Sequence, residues 1–408
     1  MVLSRLLRSA LTTLAALAIA AVVVAIANPA MGDYLAADAA SDDDNAAPAL
    51  AALIDGDLAR AVEVQPVMGP VTVVLRWPFA AAGHALGGRQ LEYALGAAAC
   101  LAVLALLALL LARRARAGSR ELLTAPVVLL LLVANPVTLA AMDAGHPEEL
   151  VAGALATVAV LLAARDRALL TGLVLAAAVA SKPTVALAGP VALLVLQRGH
   201  WRAIAAGAAA TALLMTPLLA SPDRVRDISH ELRGQDRVYA ASAWYPLAER
   251  VAVPAAARGD LPEPAVMPGG LTRSAGQVAL LALTVALSLA YLRRRGRIGL
   301  EAGLALLAGL MLARCVLDPL NLYYYAVPFV IALVAWESHA RRGIPLVSIV
   351  ASAALWATVS PPPSNPALAC ALFLAWSVPA TAWLTLGPLS GGRRLAVRPV
   401  ASAARPHP

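Results

Sequence analysis

The sequence predicts an all-α, polytopic membrane protein, and three observations support this fold class. Of the 408 residues, 61% are hydrophobic and only 14% are charged, and the mean hydropathy is +0.76. A soluble core of this size would leave too few polar residues to cover its surface. Apolar runs of about 20 residues recur, which is the length that crosses ~30 Å of hydrocarbon as a helix. Arginine clusters separate these runs, and this placement follows the positive-inside rule rather than a nucleic-acid-binding pattern.

The arginine clusters also predict the topology, with both termini in the cytoplasm. We expect about twelve membrane segments in a single domain over residues 1–390, followed by a disordered cytoplasmic tail over residues 391–408. The predicted segments are Ala10–Asn28, Leu91–Ala112, Leu122–Met142, Leu150–Ala164, two short helices between Arg167 and Arg198, Ala203–Ala220, Val278–Leu292, Leu300–Leu317, Tyr323–Trp336, Ile344–Val359 and Ala367–Leu386. Two large outer loops, residues 30–88 and 221–274, hold most of the 24 acidic residues together with the outer turns. Ala25-Ile26-Ala27 also resembles a signal-peptidase site, so cleavage of the first segment stays open.

The apolar run between Arg167 and Arg198 is interrupted by Ser181-Lys182-Pro183. As a helix, each half would be only ~20 Å long at about 1.5 Å per residue, too short for a crossing. A hairpin of two short helices, or a re-entrant pair, satisfies the charge pattern on both sides. Broken backbone at membrane depth is tolerated only where protein or a wet cavity satisfies its polar groups. We therefore predict that Lys182, the only lysine of the chain, lies at the break and faces protein or an aqueous site.

Asp42, Asp43 and Asp44 follow the first apolar segment, in the first outer loop. Carboxylates are costly beside a bilayer and usually mark chemistry or ion handling there. Because adjacent carboxylates repel one another, the pKa of at least one of the three is expected to be raised toward the range in which a general base works. Asp44 is the first candidate for this base, with Asp43 and Asp42 behind it. The alternative is a solvated acidic turn.

Several short motifs occur in a definite order over residues 30 to 340. They are Asp42 to Asn45, Gly56-Asp57-Leu58, Gln65 to Pro70, Asn135-Pro136, Gly145 to Glu149, Lys182-Pro183, Arg314 to Tyr324, Pro328-Phe329 and Trp336-Glu337. In this order and sidedness the chain resembles glycosyltransferase family 87, in the C superfamily of integral-membrane glycosyltransferases. The resemblance implies inverting transfer of a sugar, mannose above all, from a polyprenyl-phosphate donor to a lipid or glycan acceptor, as in enzymes that build actinobacterial envelope glycolipids. The chain departs from the better-known members, in which a single aspartate precedes a Val-Tyr-type step, since three aspartates here run into Asn45-Ala46-Ala47-Pro48.

The implied chemistry needs a base, groups that stabilise a phosphate, and a groove for a lipid tail. The candidates for binding the donor phosphate and sugar are Arg314, Lys182, His146, His230, Arg233, Asp318, Asn321 and Tyr324. Arg314 lies inside an apolar segment, where an arginine is usually paired. It either faces the phosphate or forms a salt bridge with Asp318, four residues further on. Lys182 either binds the phosphate or pins the hairpin, while His146 is a candidate to hydrogen-bond sugar or phosphate from the outer turn.

Amphipathic and aromatic segments add further candidates. The proline-broken stretch from Gln65 to Phe79 predicts a helix at the outer interface, with Arg76 and Trp77 either at headgroup level or beside the acceptor. Tyr323-Tyr324-Tyr325 and Trp336 fit an interfacial aromatic belt, or a sugar pocket beside Asp318 and Asn321. A set of residues in the second outer loop is a candidate for closing over the donor: Trp244, Tyr245, His230, Glu231 and Arg233.

No cofactor or metal is expected, because the spacing of Asp143, His146 and Glu149 matches no strong ligand pattern. The three cysteines lie in apolar runs and are expected to be small buried hydrophobes. The expected partners are the polyprenyl-phosphate sugar donor, a lipid or glycan acceptor and membrane lipids, with no nucleic acid. The expected location is the cell membrane, with the active site on the outer face. Two other functions stay open: a transporter or flippase of lipid-linked sugars, for which a broken helix pair is typical, and a non-catalytic membrane scaffold.

Overall fold

The computed structural model describes residues 11–12, 14–23, 44–66, 69–118, 122–219, 221–233, 236–251, 264–341, 343–359 and 365–390. Over these residues the protein consists almost entirely of helices. The α-helices are α1 (Leu14–Val23), α2 (Ala47–Ile54), α3 (Leu58–Glu63), α4 (Pro70–Gly87), α5 (Arg89–Gly118), α6 (Thr124–Val133), α7 (Pro136–Asp143), α8 (Glu148–Ala163), α9 (Ala168–Val179), α10 (Ala188–Val195), α11 (His200–Leu219), α12 (Pro222–Arg233), α13 (Ser274–Arg295), α14 (Leu300–Leu317), α15 (Val327–Ala340), α16 (Leu346–Val359) and α17 (Pro366–Ser390). Asp42, Asp43, the possible cleavage site and the C-terminal tail lie outside the described residues.

Six helical segments of the described chain are long and apolar enough to cross a membrane. They are Arg89–Ala115, Thr124–Asp143, His200–Leu219, Ser274–Arg295, Leu300–Leu317 and Pro366–Leu389. Shorter apolar helical segments are Leu14–Val23, Ala168–Val179, Pro183–Val195 and Leu346–Val359. These segments fit an all-α membrane protein. The total number of crossings and the side on which each loop lies stay predictions.

Helix α14 forms the centre of the bundle, since every residue from Gly303 to Val316 is buried. It packs against α15 and α17, and α15 in turn packs against α8. By contrast, only 11% of the apolar stretch of α11 and 22% of that of α13 is buried. Large exposed apolar faces are stable only when another apolar phase or a partner covers them, so α11 and α13 fit a periphery in contact with lipid.

Prolines interrupt two of the predicted segments. The segment predicted as Leu122–Met142 matches the membrane-length stretch Thr124–Asp143, which a break before Pro136 divides into α6 and α7. Pro136 occupies the first turn of α7, and the Asn135 side chain caps this helix by accepting a hydrogen bond from the backbone N–H of Val137 at 2.9 Å. The predicted break at Ser181-Lys182 is confirmed, because α9 ends at Val179 and a 3-10 turn, Pro183–Leu187, precedes α10.

The two large predicted loops contain regular structure in their described parts. The first carries α2, α3 and α4, and α4 packs along α5. Gly69 lets the start of α4 approach the break near Lys182, because a Cβ atom at Gly69 would lie 1.7 Å from the carbonyl oxygen of Ala180. The second loop carries α12 and a small antiparallel sheet. Its strands are β1 (Arg237–Val238), β2 (Glu249–Arg250) and β3 (Ala265–Val266), in the order β1-β3-β2.

Candidate functional site

Asp44, the first candidate for the base, is buried and forms an ion pair with Arg76. The two guanidinium nitrogens donate to the two carboxylate oxygens, Nη1 to Oδ1 at 2.9 Å and Nη2 to Oδ2 at 2.5 Å. The backbone N–H of Ala46 also donates to Oδ1, at 3.0 Å. Burial would lower the pKa of Arg76, but Asp44 holds that pKa above its ordinary value. Of the two alternatives for Arg76, exposure at headgroup level does not fit, because its side chain is fully buried against a carboxylate.

A cavity of about 1160 Å³ opens beside Asp44, between α2 to α5 and the start of α12. Its charged lining comes from both predicted loops. These side chains are Asp44, Arg60, Glu63, His84, Arg89, Glu92, Asp223, Arg224 and Asp227. A concave site where several acidic and basic groups converge suits a polar ligand that is rich in hydroxyl or phosphate groups.

A second group of charges, which we call the central ion cluster, consists of His146, Glu148, Glu149, Lys182 and Arg314. Glu148 and Glu149 stand in the first turn of α8, where an acidic side chain is favoured by the helix dipole, and both are fully buried. Lys182 Nζ donates to Glu148 Oε1 at 2.9 Å and lies 3.5 Å from Glu149 Oε1. Arg314 donates to both oxygens of Glu149, at 2.9 and 3.0 Å.

Two members of the central ion cluster are partly exposed, while the others are sealed off. The side chains of Lys182 and His146 are 16% and 14% exposed, and that of Arg314 only 1%. Burial would lower the pKa of Lys182, but Glu148 and Glu149 hold it above its ordinary value. Lys182 is thus a charged group that reaches the edge of the cluster, and the prediction that it faces protein at the break is confirmed.

Aromatic rings cover the central ion cluster on one side. His146 stacks on Tyr324, with ring centroids 4.3 Å apart, and its Nδ1 lies 3.0 Å from Glu148 Oε1. The guanidinium carbon of Arg314 lies 4.5 Å from the ring centre of Tyr325. Tyr324 and Tyr325 are both buried, so they line the cluster and do not form an exposed aromatic belt.

Asp318 does not pair with Arg314. Its carboxylate accepts hydrogen bonds from Arg273, at 3.0 Å from Nε and 2.7 Å from Nη2, and Arg273 also donates to the Tyr325 hydroxyl at 3.1 Å. The Arg314–Asp318 salt bridge, one of the two alternatives for Arg314, does not form, because Arg314 pairs with Glu149 of another helix and Asp318 pairs with Arg273. The pair Arg273–Asp318 therefore ties α13 to the end of α14.

The remaining predicted site residues lie around this pair or outside the described part. Asn321 is buried, and its side-chain amide donates to the carbonyl of Ala241 at 2.6 Å. Trp244 Nε1 donates to the carbonyl of Leu317 at 2.7 Å, so the second loop is anchored to the end of α14. The backbone of His230 and Arg233 belongs to α12, and their side chains, with that of Glu231, lie outside the described residues.

Helices α4 and α5 connect the Asp44–Arg76 pair with the central ion cluster. The guanidinium carbon of Arg76 lies 5.5 Å from the ring centre of Tyr93, whose hydroxyl donates to the carbonyl of Met142 just before the cluster. At the start of α4, the Val71 N–H donates to the carbonyl of Ala180 at 3.3 Å, close to the break in the chain. The two charged groups therefore lie at one end of the bundle and share supporting helices.

Sequence reasoning did not name Arg273, and it named Arg76, Glu148 and Glu149 without predicting the ion pairs that they form. The sequence did carry a signal for Glu148 and Glu149. These adjacent glutamates begin a helix that is otherwise apolar, and charges in such a setting usually need a partner of opposite charge. Among the described residues no group of three His, Cys, Asp or Glu side chains is placed to hold a metal ion. The three cysteines are free thiols in buried positions, as predicted.

Comparisons with known proteins add no identification at this point. No protein-family profile, no curated protein and no solved structure matches this chain.

Proposed function

We propose that the protein transfers a sugar, mannose by the family resemblance, from a polyprenyl-phosphate donor to a lipid or glycan acceptor. In this reaction a base takes the proton of the acceptor hydroxyl, and the hydroxyl oxygen attacks the anomeric carbon. The bond between that carbon and the phosphate oxygen breaks, and the configuration inverts. The observation that supports this proposal best is the charged cavity of about 1160 Å³ with a buried carboxylate, Asp44, in its wall.

Asp44 retains the capacity to accept the proton. A carboxylate offers about four acceptor sites, and three are used by Arg76 and the Ala46 N–H. The remaining site belongs to Oδ2, to which Arg76 is the one donor among the residues that the structure describes. An acceptor hydroxyl in the cavity would donate to this oxygen, and Arg76 would hold the carboxylate in place while it does so. Arg76 is therefore a positioning residue in this proposal.

The leaving polyprenyl phosphate needs positive charge near the same end of the bundle. Lys182 and His146 are the partly exposed members of the central ion cluster and are the candidates to contact it. Arg314 is too deeply buried to contact a ligand as the cluster stands, and its two hydrogen bonds to Glu149 fix the carboxylate beside Lys182. Tyr324 stacks on His146 and so borders the same cluster.

The test is transfer of radiolabelled mannose from polyprenyl phosphate to membrane lipids by the full chain in proteoliposomes. We expect Asp44→Asn to lower the rate by at least about a hundredfold, the range over which general bases contribute. Asp223→Asn is the matched control, because Asp223 lines the same cavity but is 91% exposed. A melting curve of each variant separates lost chemistry from lost folding. Equal rates for the two variants, or no transfer by the unsubstituted chain from any polyprenyl-phosphate sugar, would refute the proposal.

A transporter of lipid-linked sugars is the second candidate, and the break between α9 and the following 3-10 turn supports it. A flippase would move a fluorescent polyprenyl-phosphate lipid across the vesicle without consuming it, and Lys182→Gln would slow this movement. The transferase instead produces a new glycolipid, whose chemical identification separates the two functions.

A further inference from the structure

An apolar groove runs between α15, α16 and α17. Its main part is a cavity of about 390 Å³ whose lining includes Phe329, Leu333, Val350 and Trp376. Val350 is 67% exposed, so the groove is open along the outer surface of the bundle. An apolar slot on the outside of a membrane helix bundle suits a hydrocarbon chain, because neither water nor a polar ligand would be stabilised there.

The groove continues into a second cavity that has a polar end. This cavity, about 260 Å³, shares Trp383 and Leu384 with the first and is also lined by Trp336 and Glu301. Trp336 and Trp383 meet edge to face, with ring centroids 5.3 Å apart. Tryptophan pairs of this kind favour the level of lipid headgroups, where one edge is apolar and the other is wet.

A half-exposed cation, Arg341, lies at this polar end, and within the described part of the chain its ion pair with Glu337 is long. Arg341 covers the ring of Trp336 at 5.5 Å, and its side chain is 49% exposed. Its nearest described carboxylate, Glu337, is 4.0 Å away. Both oxygens of Glu337 already accept hydrogen bonds from the start of α16, at 3.0 Å from the Val347 N–H and 2.8 Å from the Ser348 N–H. Arg341 therefore retains donors for an anion at the mouth of the groove.

We propose that this groove binds one molecule of an anionic glycerophospholipid. One acyl chain would lie along the cavity between α15, α16 and α17, and the phosphate would accept hydrogen bonds from Arg341. Glu301, on the opposite wall, would accept from a headgroup hydroxyl, which favours a hydroxylated headgroup such as that of phosphatidylglycerol. This site does not depend on the proposed sugar transfer.

The polar end of the groove and the central ion cluster lie toward opposite ends of α14. Glu301 begins α14 and Arg314 stands in its last turn, so ~20 Å of helix separates the two sites at about 1.5 Å per residue. In the predicted topology, the Arg341 end is the cytoplasmic one, where anionic headgroups attract exposed arginines. The positive charge of Arg341 at the mouth of the groove is therefore complementary to the anionic lipid surface that the predicted topology places beside it.

The test is native mass spectrometry of the full chain in detergent, titrated with phosphatidylglycerol and, separately, with phosphatidylcholine of the same acyl chains. We expect one retained phosphatidylglycerol per chain and weaker retention of phosphatidylcholine. Arg341→Gln should weaken phosphatidylglycerol binding by about tenfold, the value of one charge-assisted hydrogen bond. Arg226→Gln is the matched control, because Arg226 is also exposed but lies on α12.

A second variant tests the apolar part of the same site. Val350→Trp would fill the groove and remove binding of the retained lipid even with Arg341 intact. Equal binding of the two lipids, together with equal effects of the two arginine substitutions, would overturn the proposal. Retention that persists in Val350→Trp would overturn it as well, since the acyl chain would then lie elsewhere.

Discussion

The buried pair Glu149–Arg314 allows the sharpest test of the charged end of the bundle. Glu149→Gln keeps the shape of the side chain but removes its charge, and it leaves Arg314 uncompensated at 1% exposure. Of the two hydrogen bonds of the pair, at 2.9 and 3.0 Å, the single amide oxygen can accept only one, because the amide nitrogen is a donor. Removing one member of a buried ion pair typically costs about 3–5 kcal/mol in the free energy of unfolding. We expect Glu149→Gln to fall in this range.

The assay is denaturant unfolding of the full chain in mixed micelles, followed by tryptophan fluorescence. Glu63→Gln is the matched control, because Glu63 pairs with Arg60 at a similar distance, 2.9 Å, but both side chains are largely exposed. Exposed pairs contribute about 0–1 kcal/mol. The double variant Glu149→Gln with Arg314→Met should be more stable than Glu149→Gln alone, since the unpaired charge is gone. Equal losses in Glu149→Gln and Glu63→Gln would refute the assignment of a buried pair.

Two more predictions concern the break in the chain near α9. Gly69→Ala should destabilise the fold by about 1–3 kcal/mol, the cost of overpacking, because the new methyl group would collide with the carbonyl oxygen of Ala180. Gly189→Ala is the control and should not destabilise the fold, because a Cβ there meets nothing within 4 Å. Melting curves of both variants check this prediction. Because its pKa is raised, Lys182 should stay protonated at about pH 9 and react with an amine-reactive reagent more slowly in the folded chain than in the unfolded chain. The stabilisation from this shift is fully present below the pKa of an unfolded lysine and is lost only as pH rises through the higher folded value. Glu148→Gln should speed the labelling of Lys182, and mass spectrometry of the single lysine-containing peptide measures the labelling rate. Equal labelling rates in the folded and unfolded chains would contradict the raised pKa of Lys182.

Helix limits and helix breaks that depend on a few neighbouring residues could be predicted from the sequence. Leu300–Leu317 has the predicted limits, because Gly299 precedes a run that is apolar except for Glu301 and Arg314, and Asp318-Pro319 does not favour continuing the helix. The break at Ser181-Lys182 was equally visible, since proline and a charge interrupt an apolar run that is otherwise continuous. In both cases the decisive information lies within a few neighbouring residues.

The partners of the buried charges could not be predicted from such local information. Spacing favoured Asp318 for Arg314, but its partner is Glu149, which is 165 residues away in the chain. Arg76 resembled an interfacial arginine, yet the fold places Asp44 against it over a separation of 32 residues. Pairing across such distances depends on which helices pack together, and periodicity within one helix carries no information about that.

The three buried arginine–carboxylate pairs bear on function because stability alone does not account for them. Desolvation offsets most of the attraction in a buried pair, and well-packed apolar side chains often replace one without loss of stability. Each pair nevertheless joins separate elements: Asp44 to α4, α8 to α14, and the end of α14 to the start of α13. In each of the three pairs both side chains are at most 8% exposed, so the charges are held largely out of contact with solvent. If the double variant of Glu149 and Arg314 remains folded but loses sugar transfer, the pair serves the site rather than the fold. That is the combination expected of charges that fix the geometry of an active site.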